Sequence, residues 1–498
     1  MSEPGEILGE LRLVGVPRDA LERIDLASLE VLREVGVRFP DEESLDTLAK
    51  FGAEVDRKTR IARIPESLVK ESVSRAPRNV ALYGRDKKRD VRLGDGKPHF
   101  ITSGVGAYIY DLETGKRRAA TIQDTIDVSK LVDFLPNIDV LQVMVSPSDV
   151  PEKVTDYYRF ESAFNNTTKH VSNCIGIETS GEAARDIVEM ASLVTGSKEE
   201  LMKRPIISVH QAPVSPLQYG SAGLKAMIEY AKSKIPICIY SQPMSGGSAP
   251  VTLAGTLVIL NCEFLAGMTL LETVSPGAPL IYGSVASIMD LKTGIMPMGA
   301  PERSILSVWA ANLGKYYGLP TIVAGGGTDA KMPGTRAGIE KTWTALPVVL
   351  SGANLIVGAG ALDSCSTYSY EELVIDDEIY GGLSRIARGL DFSEETLASH
   401  VIKKVGVGGH FLAEIHTLRH VRSEQWFPTL YRRIQRPEDY LDFKKLGETD
   451  LAVEAREKTK QILTTHQPQP LENDVRNKIR ELIHAAQRRA LGQQFLSP

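Results

Sequence analysis

Several common catalytic signatures are missing from this 498-residue chain. It has no GxxxxGK[ST] loop, no GxGxxG after a strand, no GxSxG elbow and no HExxH helix. The usual nucleotide, serine-hydrolase and zinc-protease sites are therefore not expected. Four cysteines, Cys174, Cys238, Cys262 and Cys365, lie far apart and form no CxxC pair, so neither a disulfide framework nor finger-type zinc is expected. They read as small buried thiols in a reducing compartment. Met1 to Glu10 has no apolar run of the signal-peptide kind. No stretch approaches the roughly 18 uninterrupted apolar residues of a membrane span. The expected location is the cytoplasm, away from membranes. A net charge of −5 with both signs interspersed leaves no concentrated basic surface for nucleic acid.

What is present is a globular composition, 42% hydrophobic and 24% charged, with a rhythm that changes along the chain. Residues 1–97 read as a mostly helical cap. Short β-rich runs then recur at Phe100–Thr102, Val140–Val145, Val171–Ile175, Ile206–His210, Ile237–Tyr240, Leu280–Tyr282, Thr321–Ala324 and Asn354–Val357. They are spaced roughly 30 to 45 residues apart, as strand–helix repeats require. Their nearly continuous apolar character suits parallel strands covered on both faces. The expected fold is α/β: a TIM (β/α)8 barrel over 98–400 with a helical N-terminal cap and a helical extension over 401–498. Ser369 with Glu372 opens a late helix that Gly389 closes, and Asn473 to Leu491 forms a basic amphipathic helix for the surface or a subunit contact.

In such a barrel the active site lies past the C-terminal ends of the strands. Those positions are Ser103-Gly104, Ser146, Asn173-Cys174, His210-Gln211, Ser241-Gln242, Gly283-Ser284, Gly325 to Asp329 and Gly358 to Asp363. They are rich in amides, hydroxyls and glycines and poor in charge. A metal hydrolase would gather His and carboxylates there, and a phosphoryl-transfer enzyme would gather Lys and Arg. His416 and His420, four apart after Glu414, read as an ordinary structural or surface pair, so no metal is expected.

Long stretches carry a resemblance to a known family. They include EVGVRFPDEESLDTLAKFGAEVD, ALYGRD at 81–86, YDLETGKRR at 110–118 and LPNID at 135–139. GGGTDAKMPGTRAGIEK at 325–341, SGANLIVGAGAL, EELVIDDEI at 371–379, GGHFLAEIHTLRH ending at His420, and QWFP at 425–428 complete them. In these the chain resembles the trimethylamine methyltransferase (MttB) family. That resemblance implies a TIM barrel that passes a methyl group from a methylated amine to the cobalt of a separate corrinoid (cobalamin-type) protein. Some members carry pyrrolysine and act on trimethylamine. With only the twenty standard residues, this chain resembles the branch that uses quaternary amines such as glycine betaine.

On that reading Asp329 and Gln211 are the expected catalytic residues. Tyr108, Tyr110, Tyr282, Tyr368 and Phe411 are candidates for aromatic contact with a trimethylammonium head. His210, Gln211, Gln242 and Thr328 are candidate donors to a betaine carboxylate. Gly104, Gly246-Gly247, Gly358 and Gly360 would let the corrinoid approach closely. The chain lacks DxHxxG, so the corrinoid belongs to a partner protein. The C-terminal helices suggest a homo-oligomer. Two alternatives remain at this point: a barrel lyase or isomerase using Asp329 and Lys331, and a non-catalytic betaine-binding protein.

Overall fold

The computed structural model describes residues 8–9, 16–104, 106–175, 180–431 and 451–491. All eight expected strands are present, as β1 His99–Thr102, β2 Val140–Gln142, β3 His170–Cys174, β4 Ile207–Gln211, β5 Ile237–Ser241, β6 Leu280–Ser284, β7 Thr321–Ala324 and β8 Leu355–Ala359. They run parallel, pair in chain order and close where β8 meets β1. Closure divides each strand by its period of two. Ile101, Val140, Cys238, Ile281, Ile322 and Leu355 cluster inside the barrel. Phe100, Leu141, Ile239, Tyr282, Val323 and Ile356 join the larger core that packs against the surrounding helices.

The N-terminal cap contains helices Arg18–Glu34, Glu42–Lys50 and Glu66–Arg75 and a hairpin, Val80–Leu82 with Val91–Leu93. Val80, Leu82, Val91 and Leu93 belong to the interior cluster, so the hairpin plugs the N-terminal end of the barrel. The helix after β5, Leu253–Val274, is apolar nearly all round and long enough to cross a membrane. Most of it is buried, and it packs on helix Arg18–Glu34 and on β5, as a fully apolar core helix must.

Helix Tyr370–Arg388 follows β8. The Ser369 hydroxyl caps it by accepting from Glu372 N, and Gly389 ends it. Helices Leu451–Thr465 and Asn473–Leu491 lie against barrel helices Ile122–Phe134 and Gly181–Thr195 respectively. Ile479, Ile483 and Ala486 are buried, and Gln487 Nε2 donates to the Tyr158 hydroxyl at 2.7 Å. The last basic helix therefore spends its apolar face on its own barrel.

A buried charge cluster ties helix Tyr370–Arg388 to the end of β8. Lys341 Nζ donates to Asp376 Oδ2 at 2.7 Å and lies 3.5 Å from Glu372 Oε1. Gly360 N also donates to Asp376 Oδ2, at 2.7 Å. All three side chains are buried, and burial pushes Glu372 up to about 8 and Asp376 upward. One ammonium, one carboxylate and one protonated carboxyl then balance. Lys341→Met leaves the Asp376 carboxylate buried without its cation, and should lower stability by about 3–5 kcal/mol in denaturant titration. Adding Asp376→Asn should recover part of the loss. An unchanged midpoint for Lys341→Met would show that the cluster is not what anchors the helix.

Candidate active site at the barrel mouth

A cavity of about 670 Å³ sits at the C-terminal end of the barrel. Alternation builds its wall. Each of the first five strands extends its inward row upward: Ile101 to Ser103, Val140 to Gln142, Ser172 to Cys174, Ser208 to His210, and Cys238 through Tyr240 to Gln242. Val285 and Met298 come from the long connection after β6, Arg303 from the first turn of helix Pro301–Tyr316, and Cys365 from the turn after β8. No Asp or Glu lines the cavity among the described residues.

Several buried polar atoms of this wall have no hydrogen-bond partner among the described residues: Gln142 Oε1, Gln211 Oε1, His210 Nδ1 and Arg303 Nε. The two amides are oriented by their other ends. Gln142 Nε2 donates to Cys174 Sγ at 2.8 Å, and Gln211 Nε2 donates to the Ala212 carbonyl at 2.7 Å. Arg303 is 5% exposed, so its charge is desolvated. Its Nη1 donates to the Val285 carbonyl at 3.3 Å, and no carboxylate pairs with it among the described residues. Burial lowers its proton affinity. Beside His210, the Tyr240 ring stands 5.3 Å away at 45°.

The expected residues divide clearly. His210, Gln211, Gln242 and Gly104 line the cavity, and the others do not. Asp329 is a clamp: its carboxylate accepts from Met298 N at 2.7 Å, Gly299 N at 3.1 Å and Ser364 Oγ at 2.7 Å, next to two lining residues. The Thr328 hydroxyl donates to Glu340 at 2.6 Å. Tyr282 faces outward, because β6 continues to Ser284 and its inward residues are Ile281 and Gly283; its hydroxyl donates to Asn261 at 2.9 Å. Tyr108–Tyr110 and Thr367–Tyr368 form part of a small sheet beside the mouth. There the Arg117 guanidinium covers the Tyr108 ring at 3.5 Å, and the Tyr110 hydroxyl donates to the Lys331 carbonyl. Tyr368 is fully buried against Gly106, and Phe411 is exposed in the segment after the barrel.

Gly358 and Gly360 are buried too. A Cβ on Gly358 would stand 2.0 Å from the Gly325 carbonyl, and one on Gly360 would stand 2.3 Å from Met144 Cε. They serve internal packing, so they offer no open approach. Lys331 is exposed and paired with Asp363, which removes the Asp329–Lys331 pair from the cavity. Cys238 and Cys262 are buried as expected, but Cys174 and Cys365 are half-buried in the wall. Tyr240 was within reach of the sequence, two residues before Gln242 at the end of β5. Arg303 carried a weaker signal, a cation in a helix's first turn, where the macrodipole opposes it.

A file of polar contacts runs through the interior below the cavity. His170 Nδ1 donates to the Tyr83 carbonyl of the plug at 3.0 Å, and its Nε2 is 2.9 Å from Ser208 Oγ. The Ser208 and Ser172 hydroxyls are 2.9 Å apart, and Ser172 Oγ is 2.9 Å from His210 Nε2. Burial pushes His170 down to about 4 and His210 down to about 3. Both stay neutral when folded, while the unfolded chain takes up their protons below about pH 6.5. Stability from these groups is therefore present above that pH and is lost as pH falls toward the folded values. Each should cost about 2 kcal/mol between pH 7 and pH 5. Denaturant titrations of wild type and His170→Gln should show the variant losing less over that interval. Equal losses would contradict the buried neutral imidazole.

A family model described as trimethylamine methyltransferase (MTTB) matches residues 10–492. The trimethylamine methyltransferase MttB of Methanosarcina barkeri (strain Fusaro / DSM 804) is 38% identical over 472 residues, 94% of each chain. The glycine betaine methyltransferase of Desulfitobacterium hafniense (strain Y51) is 31% identical over 481 residues, 96% of this chain and 98% of that one. In fold, the chain is similar to the crystal structure of the Methanosarcina barkeri monomethylamine methyltransferase MtmB. That comparison has a TM-score of 0.52 at 13% identity, over 91% of this chain and 88% of that one. With a match along nearly its whole length and relatives this similar, the chain belongs to the trimethylamine methyltransferase (MttB) family.

Proposed function

We propose that this chain moves a methyl group from a carboxylated quaternary amine, a betaine of the glycine betaine type, to a corrinoid held by a separate protein. The observation behind this reading is the buried Arg303 guanidinium, which has no carboxylate partner among the described residues and an unpartnered Nε, in an otherwise neutral cavity. A buried charge without a counterion costs several kcal/mol, and a helix N-terminus adds to the positive potential. A substrate carboxylate relieves both. Its trimethylammonium end suits the Tyr240 ring and the free amide oxygens of Gln142 and Gln211.

The neutral wall also suits the chemistry. As the carbon–nitrogen bond breaks, its electron pair stays on nitrogen and the positive charge disappears. A carboxylate beside that nitrogen would favour the ground state over the transition state. The departing amine is neutral and needs no proton, which fits a His210 held unprotonated by burial. Trimethylamine would need protonation or another activation first. The corrinoid is the methyl acceptor, and its Co(I) supplies the electron pair for the new bond. Val214, Ser221 and Gln242 form an exposed, uncharged rim through which the acceptor reaches the substrate. The chain's work is to hold the amine, orient one methyl toward the rim and keep water out.

The test is methyl transfer to a corrinoid acceptor from glycine betaine, tetramethylammonium, choline and trimethylamine, followed by the visible absorbance of cobalt. Methylation from the carboxylated amine alone is expected; a preference for trimethylamine would contradict the proposal. Arg303→Met should raise KM for the betaine by about one to two orders of magnitude, the worth of a lost charge-assisted hydrogen bond, without lowering Tm. A variant that binds betaine normally would remove Arg303 from the site.

A further inference from the structure

Helix Tyr370–Arg388 returns from the mouth to the N-terminal side of the barrel, and the chain then forms an arm. The arm carries short helices Glu394–Leu397, Ser399–Val405 and Ile415–Glu424. Helix Ile415–Glu424 has no buried residue, and Ile415 and Leu418 are 64% and 78% exposed. A ten-residue helix is marginal without tertiary packing. Its links to the rest of the arm are polar: Lys404 pairs with Glu414 at 2.7 Å, and both histidines reach Glu395.

We propose that Glu395, His416 and His420 bind a divalent transition-metal ion, zinc by donor set, that pins this helix to Glu394–Leu397. His416 and His420 stand one turn apart, with ring centroids 4.4 Å from each other. Glu395 faces them from a separate element. His420 Nε2 lies 3.2 Å from Glu395 Oε1, and one donor atom from each of the three residues falls within 4.8 Å of the others. Bonds of about 2.1 Å in a tetrahedron set donors about 3.4 Å apart, so a small closure completes the geometry. Two imidazoles and one carboxylate are borderline donors that suit zinc, with water as fourth ligand. On binding, His416 exchanges its 3.0 Å contact with the Glu395 carbonyl for the ion. The sequence shows only the i, i+4 pair. Glu395, 21 residues before His416, is brought in by the fold. None of the three residues lines the cavity at the mouth, so the role assigned to the ion is structural and independent of the proposed methyl transfer.

The test uses the tag-free full chain without corrinoid, titrated with Zn2+ and with Co2+ as a spectroscopic probe. One equivalent of metal per chain is expected, with the visible bands of tetrahedral Co2+. Glu395→Gln and His420→Ala should each weaken binding about tenfold or more at unchanged circular dichroism. Metal removal should increase proteolysis within residues 389–431 only. No saturable binding, or the same binding in a His416→Ala/His420→Ala double variant, would overturn the site.

Discussion

Closing eight parallel strands into a barrel commits every second side chain of each strand to an interior without water. Every other feature of this molecule answers to that commitment. On β6, β7 and β8 the interior is filled with Ile281, Ile322, Ala324, Leu355 and Val357. On β3 and β4 it is filled with His170, Ser172, Ser208 and His210, which are acceptable there because they satisfy one another and end on a backbone carbonyl. The file runs out at the top, where His210 Nδ1 has no partner, and the cavity begins at that point.

The same desolvation makes the cavity selective in charge. A cation placed there is stabilised only by what the site supplies, and Arg303 is supplied with little beyond a carbonyl and the sulfur of Met296. Lys341, equally buried a short way along the chain, has Asp376 and Glu372 around it. The contrast separates a charge used to anchor a helix from one left open for a ligand. Asp329 and Glu340 belong with the anchors: both carboxylates are spent holding backbone and hydroxyl groups beside the mouth.

The fold was legible because strand–helix repetition leaves a strong periodic trace, and all eight barrel strands fall within a few residues of their expected positions. The candidate site was legible where a residue stood at a strand end with the right parity, as for His210 and Gln242. Tyr282 lies off the cavity because its position on β6 faces the surrounding helices, one residue out of step with the inward Ile281 and Gly283. Tyr108 and Tyr110 failed because their small sheet is assembled from chain segments more than 200 residues apart, and Arg117 arrives with it. Phe411 sits on the arm after the barrel, and spacing along the chain carries no information about that distance.

In the proposed complex the guanidinium of Arg303, which lacks a counterion among the described residues, takes the carboxylate of the substrate while the trimethylammonium lies toward Tyr240. A crystal structure with glycine betaine bound tests it most directly. The carboxylate is expected within hydrogen-bonding distance of Arg303 Nε, with one methyl group directed at the open rim. A trimethylammonium group against Arg303, or a ligand bound outside the barrel mouth, would contradict it.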